Sequence, residues 1–347
     1  MTTKRLMKGN EALGEGAIQA GCGAYFGYPI TPQNELTEYM SRRMLEENRV
    51  FIQSESELAA INMVFGASVA GARAMTSSSS PGVSLKQEGL SYMAGCELPG
   101  LVVNVQRGGP GLGNISGSQA DYFQAVKGGG HGDYHLIVLT PGSVQELYEM
   151  PALAFSLSEK YRTPAMILTD GILAQMQEPM EAVKIDTTRD ENRDWILDGC
   201  KGRAPRKIRS LLMEEGALEA HNRHLQDKYN LIKTQEQRYQ LINEQAEIML
   251  VAYGISARVC YTAIQEANKK GAKLGLLRPL TVWPFPEKIL QELAPKVKAF
   301  LVVELNAGQM VEDVKLAVNG KTPVHFYGRA GGACVTPGEI LKEIEKI

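Results

Sequence analysis

The chain has 347 residues, enough for two α/β domains with their own cores, and an ordinary globular composition of 44% hydrophobic and 22% charged residues. Its formal net charge of −2 gives no broad attraction to nucleic acid or to an anionic membrane. No apolar run of about 18 residues occurs, and Lys4, Arg5, Lys8, Glu11 and Glu15 interrupt the N-terminus, so neither a spanning helix nor a signal-peptide region is read and a cytoplasmic protein is expected.

Short apolar runs alternate with amphipathic stretches from the start. Extended segments are expected at Ala24–Tyr28, Val50–Gln53, Arg73–Ser77, Leu101–Gln106, His135–Leu139 and Pro164–Thr169. Helices are expected between them at Gln33–Glu47, Leu58–Ala70, Val83–Ala94 and Val144–Lys160. This alternation predicts a parallel, doubly wound sheet over residues 1–180. A charged, Gly- and Pro-containing connection from Lys184 to Lys207 follows. From Leu211 to Ala246 the residues Leu218, Leu225, Tyr229, Ile232, Tyr239 and Ile242 draw one apolar stripe, so residues 181–246 read as a linker with a long interdomain helix. His221 and His224 beside that stripe read as a solvated face rather than a metal site, with no acid or thiol set next to them. A second α/β unit is expected over residues 247–347, with strands at Ile248–Tyr253, Leu274–Leu277 and Ala299–Glu304. Its helices are expected at Ser256–Lys270, Lys288–Leu293 and Val311–Val318.

Cys22, Cys96, Cys200, Cys260 and Cys334 are scattered singly, with no Cys-x-x-Cys, and read as packing residues. No metal ligand is assigned on this chain. Chemistry concentrates instead after strand ends, where open α/β sheets bind ligands. The stretches are Gly27–Pro32, Gln53–Glu57, Ser77–Gly82 and Gln106–Gly111. Their spacing matches neither G-x-G-x-x-G nor a Walker loop, which sets nucleotide binding aside.

Together the four stretches resemble the thiamine-binding half of the 2-oxoacid:ferredoxin oxidoreductases. Tyr28-Pro29-Ile30-Thr31-Pro32 looks like that family's Tyr-Pro-Ile-Thr-Pro motif, and Gln53 to Gly66 is similar to the segment carrying its thiamine-activating Glu. Asn104-Val105-Gln106-Arg107 resembles the strand end with a substrate-binding Arg, and Gly129 to Asp133 a later glycine–histidine turn. Val251 to Gly254 and Leu277 to Leu280 look like a transketolase-C-like second domain. The run Met75 to Gly89 looks closest to the 3-methyl-2-oxobutanoate (2-ketoisovalerate) enzymes. The resemblance implies an α/β fold of two doubly wound domains, a thiamine-diphosphate pyrimidine-binding fold and a transketolase-C-like one, joined by a helical linker.

It also implies roles. A buried carboxyl at N1′ of the aminopyrimidine promotes loss of the C2 proton. Counting back from Gly66-Ala67 places that carboxyl on Glu57 rather than Glu55, although Ser54-x-x-Glu57 is also a capping-box pattern. Thr31 reads either as a helix N-cap before Pro32 or as a hydroxyl contact to the substrate, and Pro29 as pocket wall. Arg107 reads either as a surface ion pair or as the group that takes the 2-oxoacid carboxylate. Pro29, Thr31, Glu57 and Arg107 would then share the cofactor site.

No Gly-Asp-Gly…Asn run is present, so the Mg2+–diphosphate half of the site is expected on a β-type partner subunit. The [4Fe–4S] clusters are expected on partner subunits, with γ and ferredoxin-like subunits completing the complex. Ferredoxin takes the electrons and coenzyme A the acyl group. Branched-chain 2-oxoacids are the expected substrates. The alternatives are 2-oxoglutarate, an aryl pyruvate, or a vestigial scaffold without activity.

Overall fold

The computed structural model describes residues 4–189 and 193–347. Strand β1 (Lys4–Lys8) leads into helix α1 (Gly9–Gln19), then β2 (Ala24–Gly27), α2 (Asn34–Glu46), β3 (Val50–Gln53) and α3 (Glu57–Val69). There follow β4 (Ala74–Ser78), α4 (Ser80–Gly95), β5 (Gly100–Gln106) and the short α5 (Tyr122–Val126). The first unit closes with β6 (Ile137–Leu139), α6 (Val144–Tyr161), β7 (Pro164–Asp170), α7 (Gly171–Gln175) and β8 (Gln177–Glu181). Strand–helix alternation is thus realised much as the apolar runs indicate. Every residue of β5 and β7 is buried, the state expected of central parallel strands covered on both faces.

Beyond the linker lie α8 (Ala217–Gln235), β9 (Tyr239–Ile242), β10 (Ile248–Val251), α9 (Gly254–Asn268), β11 (Leu274–Pro279) and β12 (Thr281–Trp283). Helix α10 (Glu287–Leu293), β13 (Ala299–Glu304), α11 (Met310–Val318), β14 (Val324–Gly328) and α12 (Pro337–Ile344) complete the chain. The larger sheet has the order β12-β6-β7-β5-β4-β2-β3 and the smaller β14-β13-β10-β11-β9. Each is parallel except for one edge strand, β12 and β9 respectively. The strand Thr281–Trp283 therefore leaves the second unit and seals the edge of the first sheet on β6.

Two expectations from the sequence are corrected, and one stretch without an expectation gains structure. The long stripe from Leu211 to Ala246 is not one helix: α8 stops at Gln235, and Tyr239 and Ile242 belong to β9, paired antiparallel with β11. Only Leu225, Tyr229 and Ile232 of the stripe are buried, where α8 lies on the first unit. His221 and His224 are not a merely solvated face. His221 Nε2 meets Gly95 O at 2.8 Å and His224 Nε2 meets a carboxylate after all, Glu97 Oε1 at 3.0 Å, so they dock α8 on the end of α4 and on the loop before β5 respectively. Lastly, β1 and β8 form a two-stranded antiparallel sheet, and α1 precedes β2, where no element is legible.

Cys22, Cys96 and Cys260 are buried, while Cys200 is exposed and Cys334 half-buried. No group of three or more His, Cys, Asp or Glu side chains gathers among the described residues. No described helix is long and apolar enough to cross a membrane.

The two sheets meet end to end. Gln119, in the loop after β5, accepts from Ser256 Oγ at 2.8 Å and Leu305 N at 3.0 Å, and its Nε2 donates to Tyr253 O at 2.9 Å. Asp170, at the end of β7, accepts from Ile255 N at 2.9 Å. The loops following the larger sheet are thereby fixed against strand ends of the smaller one.

Candidate functional site

Strands β2, β3, β4 and β5 run parallel and adjacent, so Gly27, Gln53, Ser78 and Gln106 end at one edge of the sheet. The loops beyond them carry Thr31, Glu57 and Arg107. Their convergence follows from topology alone.

Glu57 is the first residue of α3. Its N-cap is Ser56, whose Oγ accepts from Ala59 N at 3.2 Å. Ser54 is used differently: its Oγ donates to Gly27 O at 3.1 Å and Ser56 O at 2.9 Å, tying the end of β3 to the end of β2. The Ser54-x-x-Glu57 capping box is therefore not formed. Glu55 is exposed and accepts the Ser56 hydroxyl at 2.8 Å. Glu57 is buried, and its carboxylate accepts no hydrogen bond among the described residues.

Where that carboxylate points is fixed by a missing side chain. A Cβ built on Gly82, in the first turn of α4, would stand 2.5 Å from Glu57 Oε1 and 2.1 Å from Ser78 Oγ. Ser78 Oγ is itself buried without a partner, as is Ser79 Oγ. Glu57 and Ser78 thus close on Gly82 in a polar notch whose tightness only glycine permits. Behind it lies Lys86, fully buried, with Nζ donating to the main-chain oxygen of Glu57 at 3.3 Å. Burial pulls the Lys86 ammonium down to about 8, against the opposing pull of the Glu57 charge.

Arg107 is not a surface ion pair. It is 7% exposed, and no acid pairs with it among the described residues. Its Nη1 donates to Thr31 O at 3.0 Å and its Nη2 to Leu112 O at 3.1 Å, clamping the loop after β2 to the glycine-rich loop after β5. Its Nε is buried and unpartnered. Ser80 Oγ accepts from Arg107 N at 3.0 Å and donates to Asp121 Oδ2 at 2.6 Å, so the first turn of α4 touches Arg107 on one side and Glu57 on the other. Burial pushes the Asp121 carboxyl up, opposed by the hydrogen bonds from Ser80 and Asn104.

Thr31 is half-buried and does not cap α2, whose N-cap is Gln33 with no side-chain bond. Its Oγ1 accepts from Asn34 Nδ2 at 3.2 Å. Pro29 stands exposed in the same loop. The structure therefore joins Thr31 directly to Arg107, links both to Glu57 through α4, and leaves Pro29 on the rim. The Gly129–Asp133 turn packs further along α4, with the His131 ring edge-on to Tyr92 at 5.9 Å. Sequence reasoning singled out the stretch that holds Ser78 and Gly82 without giving either a role, and missed Lys86 and Asp121. Lys86 carried a signal: it occupies an apolar stripe with Val83, Leu90 and Met93, an unusual place for a lysine.

Residues 15–247 match the family described as pyruvate flavodoxin/ferredoxin oxidoreductase, thiamine diphosphate-binding, and residues 246–340 match pyruvate:ferredoxin oxidoreductase core domain II. The ketoisovalerate oxidoreductase subunit VorB of Methanothermobacter marburgensis is 47% identical, covering 99% of this chain and 97% of that one. The 2-oxoglutarate synthase subunit KorA of Methanothermobacter thermautotrophicus is 36% identical over the full length of both. Among solved structures, a 2-oxoglutarate:ferredoxin oxidoreductase from Magnetococcus marinus with 2-oxoglutarate, coenzyme A and succinyl-CoA bound superposes with a TM-score of 0.87 at 26% identity. That match covers 99% of this chain but 65% of the solved one. A split-gene transketolase, 12% identical with a TM-score of 0.61, shares the fold alone. Full-length similarity to such subunits, over both matched regions, makes this chain a subunit of the 2-oxoacid:ferredoxin oxidoreductase family.

Proposed function

We propose that this chain is the α-type subunit that grips the pyrimidine ring of thiamine diphosphate in a CoA-acylating, branched-chain 2-oxoacid:ferredoxin oxidoreductase. The observation that carries this reading is Glu57: a buried carboxylate without a hydrogen-bond donor among the described residues, packed so closely on Gly82 that a Cβ there would stand 2.5 Å from Oε1. The residues present fit an aminopyrimidine, since the notch offers an acceptor, Glu57, and an unpartnered hydroxyl, Ser78.

Thiamine diphosphate, when bound, would supply a C2 carbon nucleophile for the 2-oxo carbon. Glu57 holds the proton at N1′ and so favours the tautomer that accepts the C2 proton. Arg107 spends one hydrogen of each Nη on a backbone carbonyl, leaving further donors for the 2-oxoacid carboxylate. Thr31, clamped by the same guanidinium, orients the substrate through its hydroxyl, and Pro29 forms the rim. A β-type subunit would hold the diphosphate through Mg2+. The [4Fe–4S] clusters on ferredoxin-like subunits would carry electrons to ferredoxin.

Charge supports the branched-chain reading of the substrate. Between Asn104 and Asp121 the only cation is Arg107, enough for one carboxylate. A second carboxylate would enter a partly dry pocket at a cost of several kcal/mol, whereas an isopropyl group gains about 1.5–3 kcal/mol on burial. On the complete complex, 3-methyl-2-oxobutanoate is expected to exceed 2-oxoglutarate by about 10- to 100-fold in kcat/KM, read by reduction of a low-potential acceptor. Equal or better turnover of 2-oxoglutarate overturns the substrate assignment. The 36% identity to KorA makes that the second reading.

The notch has its own test. Gly82→Ala puts a methyl where Glu57 Oε1 and Ser78 Oγ converge. Alanine is favoured over glycine in a helix by about 1 kcal/mol, so Tm is expected to hold, while acceptor reduction falls by about 10-fold or more through displacement of the carboxylate. Full activity in Gly82→Ala would remove the notch from the site.

A further inference from the structure

Lys86 is a lysine with its whole side chain out of water, a rare position for this residue type. One hydrogen bond is available to it, the 3.3 Å contact from Nζ to the Glu57 carbonyl. Gly82 and Lys86 are one turn apart on α4 and share a face, so the face that opens the notch also brings the ammonium behind it.

Glu57 carries the opposing charge that Lys86 feels, without a direct ion pair between the two among the described residues. Helix α3 carries no ionisable side chain besides Glu57, and β5 carries none. Strand β7 ends in Asp170, whose carboxylate is taken up by the amides of Leu173 and Ile255. On α4 itself Glu88 is exposed and accepts from Tyr92. The loop before β6 meets α4 through the Tyr134 hydroxyl on Gln87 and the His131 carbonyl on Ser91.

We propose that Lys86 is a positioning residue for Glu57: its ammonium grips the first turn of α3 and supplies the counter-charge that seats the carboxylate in the notch. This rests on Glu57 holding the pyrimidine ring as proposed above. Burial lowers the Lys86 ammonium to about 8, with the Glu57 charge opposing that shift. The cationic form that does the gripping is present below that pH and lost as pH rises through it.

The test has two arms. In the full-length chain labelled with [13Cε]lysine, the Lys86 signal, assigned by its disappearance in Lys86→Arg or Lys86→Met, is expected to titrate near pH 8. In Glu57→Gln its midpoint is expected to fall by about one pH unit or more, since the opposite charge has gone. An unmoved midpoint overturns the pairing. In the assembled complex, acceptor reduction is expected to decline above about pH 8. Lys86→Arg, which stays charged, should keep the rate and move the decline to higher pH, and Lys86→Met should be slow on both sides. Identical behaviour of the two variants would mean that Lys86 is packing alone. The labelled-chain arm needs no cofactor, so its failure is distinguishable from failure of Glu57 in C2-proton exchange.

Discussion

Glu57→Gln is expected to slow exchange of the thiamine C2 proton in the assembled enzyme by about 10²-fold or more, the scale of lost general acid–base assistance. Glu55→Gln is expected to leave exchange within a few-fold. The structure separates the two residues by environment: Glu57 is buried against Gly82 and Ser78, while Glu55 is exposed beside Ser56. Because Ser56 caps α3 rather than Ser54, Glu57 has no capping duty to lose, and its amide form should fold with little change in Tm. Hydrogen–deuterium exchange at C2, followed by proton NMR after acid quench, reads the rate. A Glu57→Gln enzyme that only melts earlier, with exchange intact, would return this residue to a structural role.

The second large effect is expected at Arg107. Arg107→Met removes the charged donor proposed for the substrate carboxylate and also unlatches the loop at Thr31 from the loop at Leu112. Charged hydrogen bonds contribute about 1.5–3 kcal/mol each, so two of them correspond to a rise in KM for the 2-oxoacid of roughly 10²- to 10⁴-fold. Steady-state kinetics on the complex, with kcat and KM separated, measures it. Arg107→Lys is expected to recover little, since one ammonium cannot span two carbonyls and still present a planar fork to a carboxylate. A KM unchanged in Arg107→Met would assign the guanidinium to loop clamping alone.

The larger sheet was legible because parallel strands buried on both faces leave continuous apolar runs, as in Leu101–Val103 and Ala165–Leu168. Helix α1 was not, for a reason that lies in its glycines. A Cβ at Gly16 would strike Tyr148 O at 1.9 Å, and one at Gly9 would strike Leu173 O at 2.4 Å. Close approach of α1 to α6 and α7 demands glycine, and glycine erases the helical propensity a reader looks for. Strand β9 failed differently: Tyr239 falls seven residues after Ile232, a helical spacing that four residues at a sheet edge meet by chance.

The chemistry divides in the same way. Thr31, Glu57 and Arg107 announce themselves by residue type after strand ends. Ser78, Gly82 and Lys86 act through where they stand: a hydroxyl left unpaired, a side chain withheld, a charge kept dry. Such properties exist only once α3 and α4 are side by side.

Strand β12 imposes an order on how the molecule is made. The outer edge of the larger sheet, β6, acquires its neighbour only when Thr281–Trp283 pairs with it, more than a hundred residues later in the chain. While the protein emerges from the ribosome, the sheet bearing Glu57 and Arg107 waits with an unpaired strand edge, the kind of edge that recruits other chains. That exposure ends only once synthesis has run past β11 into the second unit, so the completed sheet of the candidate site is a late product of translation.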